Sequence, residues 1–353
     1  MKAAAGRRPA GKRPGTARKR VNFALQGGGS HGAFAWGILD RLLEEDRLDV
    51  EGLSGTSAGS VNAVVLAYGW HVAGRRGARE ALAAFWDDVA RLGESAGLSR
   101  WSPWSTTTQA GPDFAHEAMT AFTRAFSPYQ FNPANFNPLR DLLVRHVDFA
   151  SLRGCRSMKL FLAATDVESS RVRVFPIEEV SVDAVLASSC LPQLFQAVRI
   201  DGRYYWDGGY MGNPVLFPLF YETESRDVVI LHINPIERPG APRMPHEIEN
   251  RLNEITFNAS LLKELRAVAF VQKLVADGWI KDEYRPRLKD VLIHSIRADT
   301  ALSDLSVSSK FANDWGFLTM LRDRGRAYAS AWLENHFHDL GVRSTVDLKK
   351  EFL

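Results

Sequence analysis

Only two cysteines, Cys155 and Cys190, occur in the 353 residues. That is too few for a disulfide framework and points to a reducing, cytoplasmic setting. No stretch reaches the roughly 18 uninterrupted apolar residues of a membrane span, so any meeting with lipid is expected from the water side. The start of the chain lacks the apolar segment of a secretory signal. No histidine or cysteine spacing suggests a metal, His336-x-His338 being isolated, and no cofactor is expected. Acids are missing from residues 1–20, which hold eight Lys and Arg. Taking these eight charges from the net +3 leaves residues 21–353 at −5. The Gly-, Ala- and Pro-rich tail reads as disordered, a solvated arm or a contact for anionic membrane; nucleic acid is not an expected partner.

What is present has the grammar of a parallel sheet. An apolar strand, Val21–Gln26, leads through a glycine loop into a helix, Ala33–Leu43, with Phe34, Ile38 and Leu42 on one face. A second strand ends near Leu53 and a second, buried helix starts near Ser60. Further strands are expected at 158–167, in the charged hairpin-like "SRVRVFPI", at 227–235 and at Val291–Ile296, with a short helix from about Val182. Between 101 and 136 the chain is crowded with aromatics, including Trp101 and Trp104. Phe114, Ala118, Phe122 and Phe126 recur every four residues as a helical stripe, either core or a cap over an acyl-chain site. After Pro235 a Pro-rich linker precedes a long helix, His246–Asp277. Its apolar residues Leu252, Ile255, Leu261, Leu262, Leu265, Val268 and Val271 are expected to be buried or to face a partner, a second copy of the chain included.

Two glycine-rich turns carry the chemistry. "GGGSHG" places Gly27, Gly29 and Gly32 in the G-x-G-x-x-G spacing that cradles a dinucleotide pyrophosphate. The same loop could instead turn its N–H groups toward the oxyanion of an acyl-transfer intermediate. The second turn, "GTSAG", is Gly55–Thr56–Ser57–Ala58–Gly59. It fits G-x-S-x-G, in which a serine on a sharp strand-to-helix turn lifts its hydroxyl clear of the backbone. A dinucleotide unit needs an acid at the carboxyl end of the second strand, but Asp49 and Glu51 lie at its beginning and the serine turn occupies its end. None of the histidines (31, 71, 116, 146, 232, 246, 294, 336 and 338) has an obvious triad setting. "YYWDGGYMGNPV" offers Asp207, followed by Gly208 and Gly209, as a base whose partial burial would raise its pKa.

Taken in order, the glycine loop, G-T-S-A-G and D-G-G resemble the patatin-like phospholipase family over residues 21–235, with "ASSCLPQLF" and Asn213–Pro214 matching further stretches. The resemblance implies a three-layer α/β/α fold with a mostly parallel central sheet and a lipid acyl hydrolase, with no cofactor. Ser57 would be the nucleophile, Asp207 the base, and Gly27, Gly28 and Gly29 the oxyanion loop. Gly32, Gly55, Gly59, Gly208 and Gly209 would support the turns. His31 stands where the family usually has Arg or Lys, leaving the loop without its fixed charge, so subsite preference or pH dependence could differ. Cys190 stands where a small residue is usual and reads as a buried structural thiol. The expected organisation is a basic tail (1–20), a catalytic domain (21–235) and a mainly helical extension packed on it (236–353). A non-catalytic lipid-binding protein and a nucleotide-binding oxidoreductase are the other readings.

Overall fold

The computed structural model describes residues 18–95, 122–123, 125–281, 283–284 and 288–352. Among them β1 (Lys19–Leu25) leads to α1 (Gly32–Leu43), β2 (Leu48–Thr56) and the long α2 (Ala58–Ser95), which breaks at Ala73 and Gly74. The short helices α3 (Pro128–Phe131), α4 (Pro138–His146) and α5 (Phe149–Arg153) precede the hairpin of β3 (Lys159–Asp166) and β4 (Arg171–Pro176). Next come α6 (Val182–Ser188), β5 (Val198–Ile200), β6 (Arg203–Asp207), α7 (Phe217–Glu222) and β7 (Asp227–Leu231). The last elements are α8 (Pro245–Ala276), β8 (Leu292–Ile296), α9 (Trp315–His336) and α10 (Leu348–Phe352).

The described strands form one eight-stranded sheet. From β8 through β7, β1 and β2 to β3 every pairing is parallel, while β4 and β6 join β3 antiparallel and β5 pairs β6. Side chains alternate across the sheet with the two-residue period of a strand. Phe23, Leu25, Leu160, Leu162, Val229 and Leu231 face one core, and Ala24, Phe161, Val228 and Ile230 the other. The first core is closed by α1, α2 and α9, the second by α7, α8 and α10. This is the expected three-layer α/β/α architecture. Among the described residues no helix is long and apolar enough to cross a membrane.

Three expectations change. Lys19 and Arg20 belong to β1, not to the tail; Lys19 Nζ donates to the carbonyls of Leu340 (2.7 Å) and Phe337 (3.0 Å), tying the start of β1 to the turn after α9. Residues 1–17 lie outside the described residues. Residues 236–353 do more than pack on a finished domain: β8 extends the central sheet, and Leu261, Leu265 and Val268 of α8 cover the face that Ala24, Val228 and Ile230 would otherwise expose. The other half of α8's apolar pattern is not buried, Leu252 being 59% and Ile255 51% exposed. Most of the aromatic segment, including Trp101, Trp104, Phe114 and Ala118, lies outside the described residues. Phe122 and Phe126 are described; their rings are 5.2 Å apart and both are exposed.

Candidate active site

The site forms where two ladders meet on one strand. One edge of β3 is taken by β4 from Phe161 to Asp166. The opposite edge is shared in series, by β2 up to the Thr56–Ala163 pair and by β6 from the Ala164–Asp207 pair onward. The parallel strand ends where the antiparallel strand arrives, so the turn after Thr56 and the turn after Asp207 open at the same place.

Ser57 sits in that first turn at φ 54°, a left-handed conformation that a serine adopts only under constraint. The constraint is visible. Gly55 lies against the Gly59 carbonyl and Gly59 against the Leu25 carbonyl, with no room for a Cβ at either. The Ser57 N–H donates to Ser188 Oγ at 3.0 Å, and Ser188 Oγ donates in turn to the Ala163 carbonyl. Sequence reasoning missed Ser188, although it belongs to the "ASSCLPQLF" stretch already noted. Its role depends on a contact between α6 and β3 that no local pattern announces.

Asp207 is fully buried. Its N–H donates to the Cys190 carbonyl at 2.8 Å and its carbonyl accepts from the Thr165 hydroxyl at 2.8 Å. Oδ1 accepts from the Gly209 N–H at 2.7 Å. Oδ2 makes no regular hydrogen bond among the described residues, although the Ser57 hydroxyl lies near enough to favour the charged form. Burial outweighs that help and the Gly209 bond, and pushes the carboxyl up to about 6. Gly208 follows because its backbone presses on the Ala163 carbonyl. Cys190 is buried and pushed up to about 12, chiefly by desolvation and then by the nearby Asp207. It is an inert thiol, as expected.

The glycine loop is held from three sides. The Gly27 N–H donates to Asn213 Oδ1 at 2.6 Å, and the Gly27 carbonyl accepts from Asn234 Nδ2 at 2.7 Å. Gln26 Oε1 accepts the N–H groups of Ile233 and Asn234 at 2.9 and 3.0 Å. The Gly27 N–H is therefore committed to the protein. The N–H groups of Gly28 and Gly29 have no acceptor among the described residues, and both glycines line the cavity that Ser57 enters. Of the three glycines named for the loop, Gly28 and Gly29 keep an open N–H group among the described residues, while that of Gly27 holds the loop to Asn213.

His31 is buried, with Nε2 2.8 Å from Ser309 Oγ. The Ser309 hydroxyl donates to the Ser306 carbonyl at 2.7 Å, so it is left to accept from a neutral, Nε2-protonated imidazole. Burial, and secondarily the charge of Lys310, push His31 down to about 3. It anchors the loop to residues 306–309 and carries no charge. Gly32 continues into α1, its carbonyl accepting from Asn62 Nδ2 at 2.9 Å.

Gly28, Gly29, Ser57, Val61, Phe85, Trp86, Leu191 and Phe257 are among the walls of a largely apolar cavity of about 350 Å³. No described histidine lines it, and the acid that a dinucleotide ribose would need is absent from the end of β2. Asp49 faces Arg20 at 3.8 Å, and Glu51 accepts the N–H groups of Glu224 and Ser225.

Fold and site together place the chain among the α/β proteins that present a serine on a strained strand-to-helix turn above a mostly parallel sheet. A family model for patatin-like phospholipase matches residues 23–220, and the chain belongs to that family of enzymes. Among solved structures it is similar to VipD from Legionella pneumophila, at 12% identity and a TM-score of 0.44 over 91% of this chain and 68% of that one. It is also similar to a chain of the complex of full-length ExoU with full-length SpcU from the type III secretion system of Pseudomonas aeruginosa. That likeness has 16% identity and a TM-score of 0.29, over 72% of this chain and 56% of the other. Neither bears on the site. No curated protein matches the chain.

Proposed function

We propose that the protein is a serine lipid acyl hydrolase acting through a Ser57–Asp207 dyad. The observation that carries this reading is the meeting of a strained Ser57 and a fully buried Asp207 at one edge of β3, opening on an apolar cavity. Asp207 takes the proton of the Ser57 hydroxyl as Oγ attacks the ester carbonyl carbon. The N–H groups of Gly28 and Gly29, with that of Ala58 just after the serine, hold the oxyanion. When the tetrahedral intermediate collapses, the C–O bond to the alcohol breaks and Asp207 returns the proton to the leaving oxygen. A water then gives a proton to Asp207 and attacks the acyl-serine. The fatty acid departs and Ser57 recovers its proton. A carboxyl pushed up to about 6 is a far better base near neutrality than an ordinary aspartate.

The cavity, apolar on most of its walls, suits one acyl chain. Residues 21–235 form the catalytic part, with 236–353 completing both the sheet and the loop's support. The protein works from the water side of a lipid surface in a reducing, cytoplasmic setting. Residues 1–18, ahead of β1, supply a basic contact for anionic membrane. The deciding experiment is labelling with a fluorophosphonate together with ester hydrolysis. Both should be present in the parent protein and lost in Ser57→Ala; an active Ser57→Ala protein would overturn the reading.

A further inference from the structure

The glycine loop has lost its own cation, since residue 31 is a buried neutral histidine, yet the cavity is not without one. Lys310, on the 3-10 turn Val307–Phe311 of the C-terminal region, lines it beside Ser57. Its backbone lies against Gly29, which is left-handed at φ 58° and has no room for a Cβ beside the Lys310 carbonyl. Its Nζ donates to Asn234 Oδ1 and Asn253 Oδ1, each at 2.8 Å, and stands 5.5 Å from the centre of the Phe257 ring. Asn234 also holds the Gly27 carbonyl, so this ammonium is bolted to the same loop that His31 anchors.

Among the described residues no carboxylate lies within ion-pair distance of Lys310. The nearest acid outside the dyad, Glu254, is already clamped by Arg238 at 2.8 Å and Arg251 at 3.1 Å. Lys310 keeps some exposure as a residue, through the cavity it lines, but desolvation of the ammonium pushes it down to about 8, so it remains mostly charged at neutral pH. Two neutral amide oxygens and a ring face do not repay the burial of a full charge. Among the described residues the third N–H of the ammonium has no hydrogen-bond acceptor. A largely apolar cavity with one cation on its wall among the described residues is shaped for a ligand with an acyl chain and one negative oxygen near it.

We propose that Lys310 is a specificity-determining residue, delivered by the C-terminal region, that binds the anionic phosphodiester oxygen beside the scissile ester of a phospholipid substrate. This rests on the reading of Ser57 as nucleophile in the same cavity, and it moves the cationic role from position 31 to a turn of the chain remote in sequence. Phospholipids and lysophospholipids are then favoured over neutral glycerides of the same acyl length.

Binding separates this proposal from the question of turnover. Full-length Ser57→Ala protein, with and without Lys310→Met, is titrated with dihexanoyl phosphatidylglycerol and with dihexanoylglycerol below their micellar concentrations, following binding by isothermal titration calorimetry. Methionine keeps an unbranched side chain of similar length and removes the charge. One charge-assisted hydrogen bond is worth about a 10- to 100-fold difference in affinity, so the preference for the phospholipid over the glyceride should fall by about that factor. Lys310→Cys alkylated with 2-bromoethylamine restores an ammonium and should restore the preference; both native cysteines, Cys155 and Cys190, are buried, and the same treatment of the Lys310→Met protein controls for their alkylation. An unchanged ratio, or equal weakening of both ligands, overturns the proposal. Hydrolysis by the protein with Ser57 intact tests the nucleophile separately.

Discussion

Asp207 follows Thr56 at the next position along one edge of β3, Thr56 pairing with Ala163 and Asp207 with Ala164. Two segments far apart in sequence are thereby held by backbone hydrogen bonds of one strand, more rigidly than loop contacts could hold them. Ser57→Ala should abolish ester hydrolysis. Asp207→Asn should lower kcat by about 10²- to 10⁴-fold, the usual worth of a general base. Both proteins should keep the parent's circular dichroism spectrum.

The buried carboxyl sets an acid limb. Hydrolysis requires Asp207 unprotonated, so kcat/KM should rise with pH through about 6 and level off above it. A pH profile of the parent protein on a neutral ester checks this. His31, held neutral down to about 3, should leave that limb unmoved when replaced by Gln.

The same shift has a stability sign. Between about pH 4 and 6 the native carboxyl keeps a proton that the unfolded chain has released, so stability falls as pH rises through this window. Going from 3.8 to about 6 corresponds to about 3 kcal/mol. Asp207→Asn escapes that cost. It should be more stable than the parent by up to about 3 kcal/mol at pH 8 and show no such advantage below pH 4, as read by urea unfolding at each pH.

Restoring a cation at position 31 should harm the fold. His31 is enclosed beside Ser309, with Lys310 one residue further on. His31→Lys would bury a second positive charge next to the first, at an expected cost of about 2–4 kcal/mol. A gain in activity without loss of thermal stability would contradict the anchoring role.

Asn213 carries the glycine loop through the Gly27 N–H. Asn213→Ala leaves that buried donor unpaired, at about 1–3 kcal/mol. It should lower kcat more than it raises KM, since the loop is needed most in the transition state. Steady-state kinetics on a soluble ester would show the split.

Much of this was legible in the chain. Val21–Gln26, Ala33–Leu43 and "MKLFLAATDV" announced their elements because apolar periodicity is local. Gly55, Gly59 and Gly208 announced their turns because the backbone there passes too close to its neighbours for a Cβ. Ser57 and Asp207 could be named from such turns. What the letters withheld lies in contacts between segments. Ser188 looks like any helix-end serine, and Gly27 looks as available as Gly28. Leu252 and Ile255 read as one apolar pattern with Leu261 and Leu265, yet at 3.6 residues per turn they lie on the opposite face of α8 from the buried Phe257, Leu261 and Leu265. His31 read as a missing charge, and Lys310 lies in a region outside the motifs. Local pattern determined the elements and the residues of the proposed dyad. Tertiary packing decided which N–H groups stay open, how far Asp207 is desolvated and which cation faces the cavity, because burial, electrostatic coupling and hydrogen-bond partnership depend on distance in space and not along the chain.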